Sequence, residues 1–333
     1  MLRPIPILFI ALALAINVSS AKNPKTMTYT NPVYNSDFPD PFVLRVNQTY
    51  YAYATNGGGN DIQLAQSIDL VNWVYLGNAM GPLPTWVSAG WTWAPEVAAI
   101  PSGYAMYYTA RHSESGRQCI GLATSSTPEG PFVDHANQPL ICQLEEGGSI
   151  DASPFTDTDG QRYLYWKNDG NCCGQLTYLY GQRLSSDGLK LVGEAKRLIL
   201  NDALWEGNLV EAPTLFKRQG ISKYYLFYSA ANYADDTYAV GYAHAPGPLG
   251  PFAKWQANPI LASAGAVAGP GHQCVVTDGA GQPWMVYHAW TTGNTGYPNG
   301  QRTMRIDRLE FGVNGVPVVK PTTSPQTAPS SRK

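Results

Sequence analysis

One short aromatic motif occurs five times along this 333-residue chain, and its spacing restricts the folds open to the chain. The copies are QTYYAY (48–53), GYAMYY (103–108), GQRYLY (160–165), KYYLFY (223–228) and GQPWMVY (281–287). Tyr51, Ala105, Tyr163, Tyr225 and Trp284 occupy equivalent places, at intervals of 54, 58, 62 and 59 residues. A second element follows at a comparable distance: LAQSIDL (64–70) runs to Asn72 and Trp73, LATSS (122–126) to EGPF (129–132), and YAHA (242–245) to LGPF (249–252). Each unit therefore supplies about four short strands separated by turns, which is the content of a propeller blade. Five units predict an all-β chain folded as a five-bladed β-propeller, with four-stranded antiparallel blades around a central channel. A β-sandwich would require the spacing to be coincidental, and no long amphipathic helical pattern competes.

The propeller is expected over residues 28–320. Ahead of it, Arg3, an apolar run from Ile5 to Ile16, and the small residues Ser19 and Ala21 read as an export signal over 1–21. The apolar run is shorter than the roughly 20 residues that span a bilayer, so a membrane anchor is the weaker reading. Export predicts an extracellular or periplasmic protein with no membrane association after cleavage. Residues 321–333 are rich in Pro, Ser and Thr and are expected to be disordered, with no second domain after them. A net charge of −2 argues against nucleic acid or an anionic membrane as partner. Five cysteines suit an oxidising compartment and leave at least one without an internal partner; spacing does not assign the pairing. The sequon at Asn47 falls on an expected turn, and DTDG (157–160) reads as a hairpin turn rather than a calcium loop. The chain is expected to act as a monomer.

Each aromatic strand is preceded by a segment carrying one ionisable group. Asp40 sits in DFPDPF (37–42), Glu96 in WAPEV (93–97), Asp151 in SIDASPF (149–155), Glu211 in VEAPTLF (210–216) and His272 in GPGHQ (269–273). The first strand of a blade lines the central channel, so five groups at one register should converge near the axis. There, burial and mutual repulsion spread their pKa values, which lets one carboxyl keep a proton while another is ionised. Taken singly, each is equally an ordinary turn, strand-end or core residue; the common register is what favours a site. Glu96 is read as a structural partner for a buried donor.

These residues resemble glycoside hydrolase family 43, whose motifs are matched in order by Asn31-Pro32 with PDP (39–41), WAPEV (93–97), 150–155, EAP (211–213), GPGH (269–272) and an arginine segment at 301–308. The resemblance implies an inverting glycosidase with Asp40 as general base, Asp151 as modulator raising the pKa of Glu211, and Glu211 as general acid. It implies that Arg302 steadies this cluster and that His272 helps to hold a calcium ion in the channel; no organic cofactor is implied. Phe42 and Gln273 depart from the family pattern and are expected to reshape subsites. Trp91, Trp93 and Trp205 are candidate sugar-stacking platforms at the channel mouth. The expected substrate is plant cell-wall polysaccharide or its oligosaccharides, cleaved at α-L-arabinofuranosyl linkages in arabinan or arabinoxylan, exo or endo. The alternatives are a β-D-xylosidase and, in another class, a non-catalytic carbohydrate-binding propeller. Serine-hydrolase, nucleotide-loop and zinc-protease motifs are not visible.

Overall fold

The computed structural model describes Met1 and residues 27–330, so the expected export signal lies outside the described residues. All five aromatic motifs form strands: Thr49–Ala54, Gly103–His112, Arg162–Asn168, Tyr224–Ala230 and Pro283–Thr291. Each is the second strand of an antiparallel sheet. Its first strand is the acid-bearing segment: Phe42–Val46, Val87–Ile100, Ser149–Thr156, Val210–Lys217 or Val267–Thr277. These first strands touch one another in sequence order around a closed ring, the fifth meeting the first. That ring makes the five sheets the blades of a β-propeller. The alternating pattern explains the packing: second-strand rings such as Tyr53, Tyr108, Tyr165 and Tyr228 are fully buried between blades.

The expectation of four regular strands per blade holds for the first, third and fourth blades. The second sheet has three strands, with Val133 and Ile141 bridging its outer edge at Thr124 and Ile120. In the fifth, the outer edge is covered by the start of the described chain. Tyr34 bridges Met304, Asn31 Nδ2 donates to the Ile306 carbonyl at 2.8 Å, and the Ile306 amide donates back to Asn31 Oδ1 at 3.0 Å. An uncovered edge would expose unpaired backbone groups, and the Asn31–Tyr34 segment covers it.

Residues 321–330 differ from the expected disordered tail. Gln326–Thr327 pairs with Thr28–Tyr29 in a two-stranded sheet, Thr322 donates to Asp307, and the Ser330 amide donates to Asp278 Oδ2 at 2.9 Å. Polar composition suits this path because the tail satisfies strand edges and buried carboxylates rather than filling a core. Cys119 pairs with Cys142 and Cys172 with its neighbour Cys173; Cys274 is a buried thiol. The 157–160 segment is the expected hairpin turn.

One local device recurs in every blade. The first strand bulges, so that two of its residues face one on the second strand: Ala94 and Pro95, Asp151 and Ala152, Ala212 and Pro213, and His272 and Gln273. The same offset falls at Asp40 and Pro41 in the first blade. The leading residue of each bulge is left-handed: Asp40 at φ 56°, Ala94 at 44°, Asp151 at 58°, Ala212 at 50° and His272 at 49°. A side chain in that region costs about 1–2 kcal/mol, and bulges of this kind re-aim side chains beside functional sites.

Candidate active site

The bulges decide which groups meet, and they correct the expectation of a single register. Asp40, Asp151 and His272 hold the leading bulge position, whereas Glu211 precedes it by one residue and Glu96 follows it by two. Glu211 thus reaches the channel from beside Asp151. Glu96 is buried away from the cavity, and burial raises its carboxyl well above the usual range. This fits its structural reading.

A second ring of residues sits at the end of the second strands, each four positions after the repeat's reference residue: Thr55, Thr109, Lys167, Ser229 and His288. Four of them accept the bulge amide of the next blade. Ala94 N donates to Thr55 Oγ1 at 2.9 Å, Asp151 N to Thr109 Oγ1 at 3.1 Å, His272 N to Ser229 Oγ at 2.8 Å and Asp40 N to His288 Nδ1 at 3.1 Å. Lys167 has no lone pair to offer. The Ala212 amide turns instead to Asp151 Oδ2 at 3.0 Å, and Lys167 Nζ donates to Glu211 Oε2 at 2.9 Å. The exception in the ring therefore couples Asp151 and Glu211 to a buried cation.

Asp40, Thr55, Asp151, Lys167, Glu211 and His272 line a cavity of about 650 Å³ at the channel, together with Arg302, Trp93 and Cys172. Asp40 is the most heavily tied. Its Oδ1 accepts from Arg302 Nη1 at 3.0 Å and its Oδ2 from Thr55 Oγ1 at 2.5 Å, with His272 Nδ1 3.3 Å from Oδ1. Burial pushes the Asp40 carboxyl up, but its opposing charges, the Arg302 guanidinium above all, outweigh burial and hold it well below the usual range. Arg302 is itself fixed by Asp37, which accepts its amide at 2.9 Å, so the motif around Asp40 positions the arginine as well. Burial lowers His288 to about 4, so it is neutral near pH 7, and its Nδ1 accepts from the Asp40 amide.

The other pair is ordered opposite to the expectation. Asp151 is raised to about 6, by burial first and by the Glu211 charge, with His272 and Lys167 opposing. Burial also raises Glu211, but Lys167 and the Tyr238 hydroxyl, which donates to Oε1 at 2.6 Å, bring it below the usual range. The reason is proximity: a buried ammonium in direct contact with Glu211 outweighs the Asp151 charge.

Trp93 lines the cavity, as expected. Trp91 stacks edge-on against it at 5.9 Å, lies under the Arg111 guanidinium and is not part of the cavity lining. Trp205 does not reach the channel mouth. Its indole folds over Gly241 and packs on Tyr228 at 5.7 Å, beside a separate cleft of about 490 Å³. Phe42 stacks on Tyr53, and Gln273 accepts from Ser229 at 2.7 Å and donates to the Ala212 carbonyl at 2.8 Å. Both hold blades together and neither lines the cavity, which corrects the expectation that they shape subsites. Among the described residues no grouping of three or more His, Cys, Asp or Glu has a metal-binding arrangement. Calcium takes about six to eight oxygen ligands, so the side chains at His272 do not by themselves form the implied calcium site, and no step is derived through one.

Sequence reasoning missed Lys167, Tyr238, Thr55 and His288. Three of these were findable, because Thr55, Lys167 and His288 follow from the aromatic repeat by the same four-residue step. Tyr238 lies before the third strand of its blade and carries no repeat signal.

Comparison with known proteins agrees with this geometry. The pattern of Glycosyl hydrolases family 43 matches residues 29–317. A curated beta-D-galactofuranosidase of Aspergillus niger is 28% identical, over 86% of this chain and 83% of that protein. A probable arabinan endo-1,5-alpha-L-arabinosidase A of Neosartorya fischeri is 27% identical, over 84% and 90%. Among solved structures, a thermostable family-43 glycoside hydrolase superposes with a TM-score of 0.80 at 35% identity, covering 91% of this chain and 99% of that one. The family match over nearly the whole described propeller defines the class as a glycoside hydrolase. The chain belongs to glycosyl hydrolase family 43.

Proposed function

We propose that the protein is exported and hydrolyses α-L-arabinofuranosyl linkages of plant polysaccharide with inversion, using Asp40 as base and Glu211 as acid. The observation that carries the reading is the convergence of three buried carboxyls on one cavity, with Arg302 bonded to Asp40 and Lys167 and Tyr238 bonded to Glu211; Arg302 holds Asp40 low, while burial raises Asp151 to about 6 beside Glu211. Asp40 takes a proton from the water that attacks the anomeric carbon, and Arg302 keeps it ionised and oriented. The proton of the Asp151–Glu211 pair leaves through Glu211 to the departing oxygen. Lys167 and Tyr238 then stabilise the carboxylate that Glu211 becomes, which makes it a stronger acid at the moment of bond cleavage.

Two of the relatives support the furanosyl preference, whereas another is named a beta-xylosidase. Of those two, one is named for β-D-galactofuranosyl and the other for α-L-arabinosyl bonds. The β-D-galactofuranosyl and α-L-arabinofuranosyl rings share their configuration and differ only in the length of the exocyclic arm.

Purified protein and a Glu211→Ala variant are to be assayed on 4-nitrophenyl α-L-arabinofuranoside, 4-nitrophenyl β-D-xyloside and 1,5-arabinan. Arabinose or arabino-oligosaccharide release by the parent, reduced by about 10²-fold or more in the variant, is expected. Cleavage of the xyloside alone would replace the substrate reading with a β-xylosidase. Binding of arabinan without cleavage of any substrate would replace the enzyme with a binding propeller.

A further inference from the structure

The wall of the cavity holds a group that the carboxylate chemistry does not use. The strand Arg162–Asn168 delivers Lys167 to Glu211 and then runs into the short turn Gly170–Cys173, which ends in the disulfide between the neighbours Cys172 and Cys173. Cys172 is exposed and lines the same cavity as Asp151 and Glu211. The turn is pinned at its base: Asn168 Nδ2 donates to the Glu146 and Leu176 carbonyls, both at 3.1 Å, and its Oδ1 accepts the Tyr178 amide at 2.6 Å. From the preceding blade Arg117 reaches across, with Nη1 3.2 Å from Cys172 Sγ and 2.7 Å from Cys173 Sγ. The pair is thus held in place from two blades.

A bond between adjacent residues closes almost no loop and so gains little by restricting the unfolded chain. Cys119–Cys142, which spans 23 positions, is the structural cross-link. What the adjacent pair provides is surface. A disulfide has no hydrogen-bond donor and forms a polarisable apolar facet, which Cys172 presents to the cavity on the side where Lys167, Asp169 and Glu211 are its charged neighbours. A sugar ring presents hydroxyls at its rim and C–H groups on its face, and such a facet complements the latter.

We propose that the Cys172–Cys173 disulfide is a sugar-binding subsite, on which the C–H face of the sugar on the leaving-group side packs. The side follows from connectivity: the turn continues directly from Lys167, which touches the residue that protonates the departing oxygen. The proposal rests on the glycosidase reading above.

The test compares the parent with Cys172→Ala/Cys173→Ala, Cys172→Ser/Cys173→Ser and Cys172→Met/Cys173→Ala. Kinetics on α-1,5-arabinotriose are measured for each, and calorimetric binding of the same sugar is measured in a Glu211→Ala background. Loss of the facet is expected to raise KM and Kd about tenfold, as for roughly 50 Å² of apolar contact, with kcat and melting temperature little changed. The methionine variant, which restores an apolar sulfur, should recover most of the affinity, and the serine variant should not. Unchanged KM and Kd in the alanine and serine variants, or losses that methionine fails to relieve, would overturn the subsite. Failure of the parent to cleave arabinotriose would overturn the substrate reading instead; the facet is then judged by the Kd values alone, and absence of binding by the parent overturns both.

Discussion

At the residue scale, the site is built from a single backbone irregularity used five times. A left-handed leading residue in each bulge turns one amide toward the neighbouring blade, where Thr55, Thr109, Ser229 or His288 accepts it. Lys167 breaks the rule, and the break produces the charge pattern of the site. Because its ammonium lowers Glu211, its removal should raise that carboxyl. Sign follows directly: with a higher pKa, Glu211 keeps its proton to higher pH. In the parent, activity should fall as pH rises through about 6, where the Asp151–Glu211 pair loses its proton. In Lys167→Met that alkaline limb should move upward while kcat at the optimum falls, since the departing-proton carboxylate has lost its stabilising cation. A kcat–pH profile reads both effects. A purely structural lysine would lower activity without moving the limb.

At the element scale, each blade depends on an aromatic second strand and on glycines that let rings approach the backbone. Gly241 in the third strand of the fourth blade is one such place: a Cβ there would lie 2.6 Å from the Trp205 indole and 2.9 Å from the Asn258 side chain. Gly121 holds the corresponding place in the second blade, where a Cβ would meet Tyr108 at 2.5 Å. Overpacking of this kind costs about 1–3 kcal/mol, so Gly241→Ala should lower the unfolding free energy by that amount, read as a lower denaturant midpoint, while leaving KM unchanged, because the Trp205 cleft is separate from the catalytic cavity. The element also shows why Trp205 is misread in one dimension. Its position just before an acid-bearing strand suggests the channel, but a glycine two strands away opens a slot in which the indole is half-buried.

At the scale of the molecule, the propeller is held closed by segments from both ends of the described chain. Asn31 and Tyr34 cover the fifth blade, and the last residues pair with Thr28–Tyr29 and cap Asp278 and Asp307. Removal of residues 321–333 should therefore destabilise the fold. Two hydrogen bonds from Thr322 to the Asp307 carboxylate disappear, each worth about 1.5–3 kcal/mol when the partner is charged, and the first strand loses its partner. Chemical denaturation should show a lower midpoint for the truncated chain. Specific activity per folded molecule should be unchanged, because none of these contacts reaches the cavity. A truncation with the parent's midpoint would show that closure rests on the Asn31 and Tyr34 contacts alone.

The five-bladed architecture, the strands that carry the acids and the membership of Asp40, Asp151, Glu211, His272 and Arg302 in one site were all legible in the sequence. A repeat of aromatic strands leaves few ways to bury its rings, and the spacing counts the blades. The second ring, including Lys167, was present in the same repeat but carried no meaning until the blades were placed side by side. Only the tertiary structure decided that two of the five ionisable groups leave the common register, that Trp205 faces away from the cavity, and that Lys167 rather than Asp151 governs Glu211. Each of these turns on a bulge, a slot or an ion pair, and such contacts join residues far apart in the chain, 44 positions for Lys167 and Glu211 and 248 for Asp40 and His288, so no local pattern encodes them.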